Sequence, residues 1–169
     1  MERDELRAVQ APLKDRYRED AGSALLTLRA DGQVGGEGVS CSVETGRALV
    51  EAGLHPYSGG DVSLACSGDM LLQALVACAG VTLRAVAVNL GLAVGGRVRA
   101  EGDLDFRGTM GVDRDAPVGF RAIRLSFELE TSASEEELAT LLKLTERYCV
   151  VYQTLAGGVP VSVSHRLGS

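Results

Sequence analysis

The chain has 169 residues, 46 % of them apolar and 24 % charged, a balance that suits one folded domain with a sizeable core. A net charge of −6 and a scarcity of aromatic residues (4 %, with no Trp) argue against phosphate-backbone and base-stacking surfaces, so nucleic acid is not an expected partner. The densely charged start, MERDELRAVQAPLKDRYRED, has none of the apolar character of a secretory signal, and the expected compartment is the cytoplasm, where thiols rest reduced.

Residues 1–22 read as a charged, helix-forming leader interrupted by Pro12, and 23–169 as a single domain. Ser23 to Arg29 is rich in strand formers, Ala30-Asp31-Gly32 supplies a tight turn, and VSCSVE at 39–44 alternates as the return strand. Ala48 to Val50 is a candidate third strand, and 55–61 a loop. A long apolar helix is predicted from about Asp69 to Leu92, ended by Gly95-Gly96, with the Asp69 carboxylate favourable to its N-terminal dipole. The apolar run from Met70 to Val94 contains Gln73, Arg84 and Asn89, and a central Arg costs about 2.5–3.5 kcal/mol on membrane-insertion scales. A buried helix of a soluble protein is therefore expected, with no membrane partner. Because that helix is apolar on nearly every face, a symmetric second copy is expected to help cover it.

Two alternating segments follow, 97–108 and 119–130, joined by the polar loop TMGVDRDAPV. Ser134 and Glu137 form a capping-box pair that starts a helix through Leu138, Leu141, Leu142 and Thr145. That helix reaches a second apolar segment, VVYQTL, closed by Gly157-Gly158, and 159–165 (VPVSVSH) reads as a final short strand. The order gives an α+β fold with mainly antiparallel pairing.

Four cysteines, at 41, 66, 78 and 149, make no CxxC pair, and the two histidines stand apart, so no metal site is expected. Cys78 and Cys149 each lie in an apolar, helix-forming context, where free cysteine commonly behaves as a small buried hydrophobe. Cys78 also stands about nine residues inside its helix, too deep for that helix's own dipole to lower its pKa. Both thiols are nonetheless followed by a Thr, Thr82 and Thr154.

Three stretches in order, GDMLLQALVACAGVTL (68–83), TERYCVVYQTL (145–155) and the terminal VPVSVS, are similar to motifs of the OsmC/Ohr family, osmotically inducible protein C and the organic hydroperoxide reductases. The resemblance spans roughly residues 23–165. It implies an intertwined homodimer in which antiparallel sheets wrap two central helices, and a thiol chemistry that needs no metal, flavin or haem. Cys78 would attack an organic hydroperoxide and become a sulfenic acid. Cys149 would condense with it to a disulfide, and an external dithiol would restore the pair.

In the family an Arg from the first hairpin, held by a carboxylate, lowers the pKa of the attacking thiol. Arg29 is the candidate for the first role and Asp69 for the second. The alternatives are an ordinary exposed hairpin arginine and a helix N-terminal acid. The register departs from the reductases, which place a Glu where this chain has Gly68, and Val150 replaces a proline that often follows the second cysteine. Arg147, two residues before Cys149, would lower that thiol as well and reverse the order of the two. A non-catalytic dimeric module that binds a hydrophobic small molecule or senses redox state is the alternative function.

Overall fold

The computed structural model describes residues 32–34, 40–44, 49–58, 63–111 and 113–167, together with Arg3, Asp4, Ala8 and Glu19. The expected strand at 23–29, the boundary near residue 22 and all but those four positions of the leader lie outside the described residues.

Strands β1 (Gly32–Val34), β2 (Ser40–Glu44), β3 (Leu49–Gly53) and β4 (Ala65–Cys66) form one sheet in that order. The first three pair antiparallel, and β4 joins β3 in parallel. Gly32, expected in the turn, is instead in β1 opposite Val43, so the connection falls in the glycine-rich stretch 35–39. The two-residue β4 was not evident from the sequence. It hands the chain directly from the sheet into the first helix. His55, Tyr57 and Phe106 stack their rings 5.1–5.5 Å apart, tying the loop after β3 to the far end of the second sheet.

Helix α1 runs from Ser67 to Leu90, with Asp69 in its first turn. It stops at Gly91, whose left-handed φ of 74° lets its N–H turn back to the carbonyls of Ala87 and Val88. The expected stop at Gly95-Gly96 is incorrect: both glycines lie in strand β5 (Val94–Asp103). Gly96 is needed there because its φ is 119° and a Cβ would sit 2.1 Å from the Glu128 carbonyl oxygen. β5 pairs along its whole length with β6 (Ala122–Thr131), from Val94 opposite Thr131 to Asp103 opposite Ala122. Ile123, Leu125, Phe127 and Leu129 turn to the partly buried side and Arg124, Ser126, Glu128 and Glu130 to solvent, as the alternation predicts. The first of these strands ends at Asp103 rather than 108. Asp105 accepts the Arg107 N–H at 3.1 Å and caps a short helical turn, α2 (Phe106–Thr109).

Helix α3 (Glu135–Tyr148) opens with the expected capping box, in which the Ser134 N–H donates to Glu137 Oε2 at 2.8 Å and the Glu137 N–H to Ser134 Oγ at 3.3 Å. A separate helix, α4 (Val150–Gly157), follows after one non-helical residue. Leu83 and Ala87 of α1, Val94 of β5 and Leu141 of α3 make the buried cluster, with Phe127, Leu129, Leu138 and Leu142 packed around it. The final strand expected at 159–165 does not form within one chain. That stretch pairs with none of the described residues and leaves Val161 85 % and Val163 93 % exposed.

One chain also leaves much of α1 uncovered. It is the one helix among the described residues that is long and apolar enough to cross a membrane by length and composition, and only 22 % of its most apolar window is buried. Arg84 on this helix donates to the Val94 carbonyl, anchoring α1 to the start of β5.

Leu141→Ala, which empties a fully buried site where α1 and α3 meet, is expected to lower unfolding free energy by about 2–5 kcal/mol in urea titration. Ser134→Ala should cost about 1 kcal/mol through the lost cap.

Candidate active site

The break between α3 and α4 is a single residue, Cys149, whose φ of −75° and ψ of 108° are extended rather than helical. Its N–H donates to Thr145 O at 2.9 Å, closing the last turn of α3. Its carbonyl accepts the Gln153 N–H at 2.9 Å, opening the first turn of α4. Gln153 Nε2 donates across the break to Glu146 O at 2.8 Å, and the buried Thr145 hydroxyl donates to Leu141 O at 2.8 Å. The kink is thus tied on both sides. A helix start leaves its first N–H groups without intrahelical acceptors. The N–H groups of Val150 and Val151 are therefore free to serve another acceptor.

The Cys78 and Cys149 sulfurs both lie at this helix start. α4 packs against α1, and Cys78 meets it with Leu75 one turn before and Thr82 one turn after. Burial pushes the Cys78 thiol up. Hydrogen bonds from the Val151 N–H, the Cys149 thiol, the Val150 N–H and the Thr82 hydroxyl outweigh it, and hold Cys78 below an ordinary thiol. Cys149 is 1 % exposed, and its pKa moves the other way. Burial raises it, and so does giving its proton to Cys78 and lying beside that sulfur's charge. The N–H groups of Tyr152 and Val151 only partly offset this. The pair is asymmetric: the sulfur on α1 is the easier of the two to ionise and the one at the kink the harder.

Of the residues singled out from the sequence, Cys78 and Cys149 are brought together. Arg29 lies outside the described residues. Asp69 is exposed at the start of α1, and its nine-residue offset from Cys78 puts it about half a turn round the helix and about 13–14 Å along it. It shares a shallow cleft with Leu72, Gln73, Val76 and Ala77, on the side of α1 away from Leu75, Cys78 and Thr82, so within one chain it does not reach the thiol. Arg147 does not lower Cys149: it is exposed, with its guanidinium 5.7 Å from the centre of the Tyr148 ring. Cys66 is a partly buried free thiol at the junction of β4 and α1, and the Cys41 side chain lies outside the described residues.

The Val150 and Val151 amides were missed because the apolar spacing Leu141, Leu142, Thr145, Cys149 continues smoothly through the break. A cleft of about 520 Å³ opens between α1, β6 and α4, lined by residues near the two cysteines in sequence but by neither cysteine itself. Leu75, Ile123, Phe127, Tyr152 and Leu155 line it, with Glu146 among its polar groups.

The asymmetry has a readout. Thiolate fraction rises with pH through each group's pKa, so iodoacetamide should alkylate Cys78 with a midpoint below that of an ordinary thiol and Cys149 with a midpoint above it. Peptide mapping after timed alkylation across pH 6–10 checks this. Cys149 titrating first would reverse the assignment.

A family model described as "OsmC-like protein" matches residues 60–164. No curated protein matches the chain by sequence. Among solved structures, the chain is similar in fold to an OsmC-like protein from Mycoplasma pneumoniae, with a TM-score of 0.65 and 19 % identity over 79 % of this chain and 89 % of that one. An organic hydroperoxide resistance protein from Elizabethkingia anophelis superposes with a TM-score of 0.58 at 16 % identity, over 79 % and 91 % of the two chains. Another from Legionella pneumophila gives 0.56 at 17 % identity, over the same shares of each chain. With its α+β architecture and a match covering more than half its length, the chain belongs to the OsmC-like protein family.

Proposed function

We propose that this protein is a cysteine-based peroxidase that reduces organic hydroperoxides. The observation that carries the reading is the contact between two free thiols of opposite character, one stabilised as an anion by helix-start amides and the other holding a proton toward it. In the first step the Cys78 thiolate attacks the terminal oxygen of the hydroperoxide. An S–O bond forms, the O–O bond breaks, and the alkoxide leaves and takes up a proton as the alcohol. Cys78 is then a sulfenic acid. Cys149 attacks its sulfur, forming the disulfide and releasing the oxygen as water, which spares Cys78 from irreversible oxidation. An external dithiol reduces the disulfide and is itself oxidised to one.

The cleft between Leu75, Phe127, Tyr152 and Leu155 supports an organic rather than an inorganic peroxide, because it offers an apolar tail a place to be buried within one turn of α1 from Cys78. Support also comes from the printed descriptions of the Elizabethkingia and Legionella proteins as organic hydroperoxide resistance proteins. A reducing compartment such as the cytoplasm suits a resting dithiol.

The working form we propose is a homodimer. α1 is largely uncovered in one chain, and the 159–165 segment alternates apolar residues with no strand beside it among the described residues. Both gaps are filled if a second copy packs on α1 and its sheet accepts the segment. The interface is expected to exceed roughly 2,000 Å², the range of obligate assemblies. Sedimentation at micromolar concentration should give a dimer, and a well-folded monomer would refute it.

For the chemistry, one equivalent of cumene hydroperoxide should link Cys78 to Cys149 and leave Cys41 and Cys66 reduced. Cys78→Ser should abolish peroxide consumption. Cys149→Ser should allow one turnover and leave Cys78 as a sulfenic acid that excess peroxide drives to the sulfinic and sulfonic forms, read by mass spectrometry. Hyperoxidation at Cys149 in the Cys78→Ser protein would swap the roles. A wild-type protein that consumes no peroxide while binding the apolar compound would instead be a non-catalytic binding module.

A further inference from the structure

The cleft between α1, β6 and α4 runs along β6, whose residues Ile123, Leu125 and Phe127 form its floor. Contacts across the sheet fix its two ends. Phe127 pairs with Val98 on β5, and Val98 Cγ2 lies 3.9 Å from where a Cβ on Gly80 of α1 would stand. Gly80 is two residues from Cys78, so this end is level with the thiol. Phe120 lies at the other end. A Cβ on Gly68, ten residues before Cys78, would be 3.5 Å from Cζ of its ring. At about 1.5 Å per helical residue, the stretch from Cys78 to Gly68 spans about 15 Å along α1.

Phe120 is held where it stands. The Arg121 N–H donates to the Asp103 carbonyl at 2.8 Å, which continues the β5–β6 pairing just beyond the first residue of β6. The ring lies against Gly102 of β5, where a Cβ would come within 2.4 Å of Cε1 and 2.6 Å of Cδ1. A glycine inside a strand weakens it, and here the missing side chain is what lets the ring approach the backbone. The tip of the ring then meets Gly68. Two glycines on different elements thus make the seat of one ring, and that ring lines the cleft.

We propose that Phe120 sets substrate length: its ring stops the apolar tail of a hydroperoxide that lies along β6 with its peroxide end toward Cys78. The chemistry of that substrate rests on the peroxidase reading above, whereas the stop is a property of binding. Between the two ends Leu75, Leu125 and Leu155 face the tail, so each added methylene is buried until the chain meets the ring. The volume of about 520 Å³ is in the range of small-molecule pockets.

The test titrates straight-chain primary alcohols of about six to fourteen carbons into the full-length protein by calorimetry. They resemble the product and require no turnover. In the wild type, affinity should rise about fourfold per methylene, the scale of burying one, and level off at a single chain length. Phe120→Ala should move that plateau to longer chains. The longest alcohol should gain at least about tenfold over the wild type, the scale of two further methylenes, while hexan-1-ol changes less than about twofold. Phe120→Leu, which keeps more of the apolar volume, should shift the plateau less and in the same direction. Binding weakened alike at every length in both variants is the mark of a merely structural residue and would overturn the proposal. So would a wild type that binds no alcohol, the result expected if a second copy fills the cleft.

A second measurement needs no variant. A long-chain alcohol with a diazirine at its far end should, on illumination, label the wild type at Phe120, Arg121 or Ala122. Label found only on other residues would also overturn it. Neither measurement uses peroxide. Alcohols bound with a length limit by a protein that consumes no hydroperoxide would sink the peroxidase reading and leave the stop standing. Hydroperoxides consumed at rates indifferent to chain length, with no limit among the alcohols, would do the reverse.

Discussion

One non-helical residue organises the site. Had α3 continued through Cys149, the amides of Val150 and Val151 would have been spent on carbonyls of the preceding turn, and Cys78 would face only apolar atoms and a hydroxyl. The extended backbone at Cys149 ends one hydrogen-bond ladder and begins another, which exposes two first-turn donors and places a thiol beside them. Everything distinctive about the sulfur pair follows from that break. The paired bonds at Thr145 and Gln153, with the Gln153 side chain reaching back to Glu146, keep it from healing into a continuous helix.

The two sulfurs differ although they sit in similar surroundings. Both are desolvated, which opposes ionisation of each. The two thiols are coupled through their hydrogen bond, so what eases ionisation of Cys78 makes Cys149 harder to ionise. Burial of the second thiol, which looks like a handicap, therefore serves the chemistry. In the proposed reaction it leaves Cys149 harder to ionise than Cys78 until attack on the peroxide has made Cys78 an electrophile. An arginine beside Cys149 would undo this order, and Arg147 is spent instead on the Tyr148 ring at the surface.

Much of the fold was legible because its signals are local. The alternation in 119–130, the capping box at Ser134 and the apolar run of α1 each state their element in a few adjacent residues. The errors occurred where the outcome depends on a neighbour. Gly95-Gly96 looks like a helix stop, but Gly91 ends the helix first, and Gly96 is kept for its close approach to Glu128 on β6. VPVSVS reads as a strand, yet a strand needs a partner, and this stretch pairs with none of the described residues. At the site, the two cysteines were visible as a pair. The source of their asymmetry was not, because a main-chain N–H leaves no mark in the residue type. A proline at 150 would have advertised a helix start; valine hides the start while keeping the donor.

The uncovered side of α1 and the anion on Cys78 are linked by the same geometry. Leu75 and Ala79 are buried within the chain, whereas Val81, one turn beyond Cys78 on the same side of α1, is 73 % exposed. A partner laid on the exposed face would therefore border Cys78 and remove water from around the helix. Excluding water strengthens every hydrogen bond to the Cys78 sulfur, since charge is screened less in a drier site. It also raises the desolvation cost of that charge. The balance favours the anion only while its donors are fixed in place, and main-chain amides at the start of a helix pinned on both sides meet that condition better than a long, flexible arginine. Assembly and thiol activation thus place the same demand on the chain: a rigid junction at Cys149 held against a helix whose other face is free to be covered.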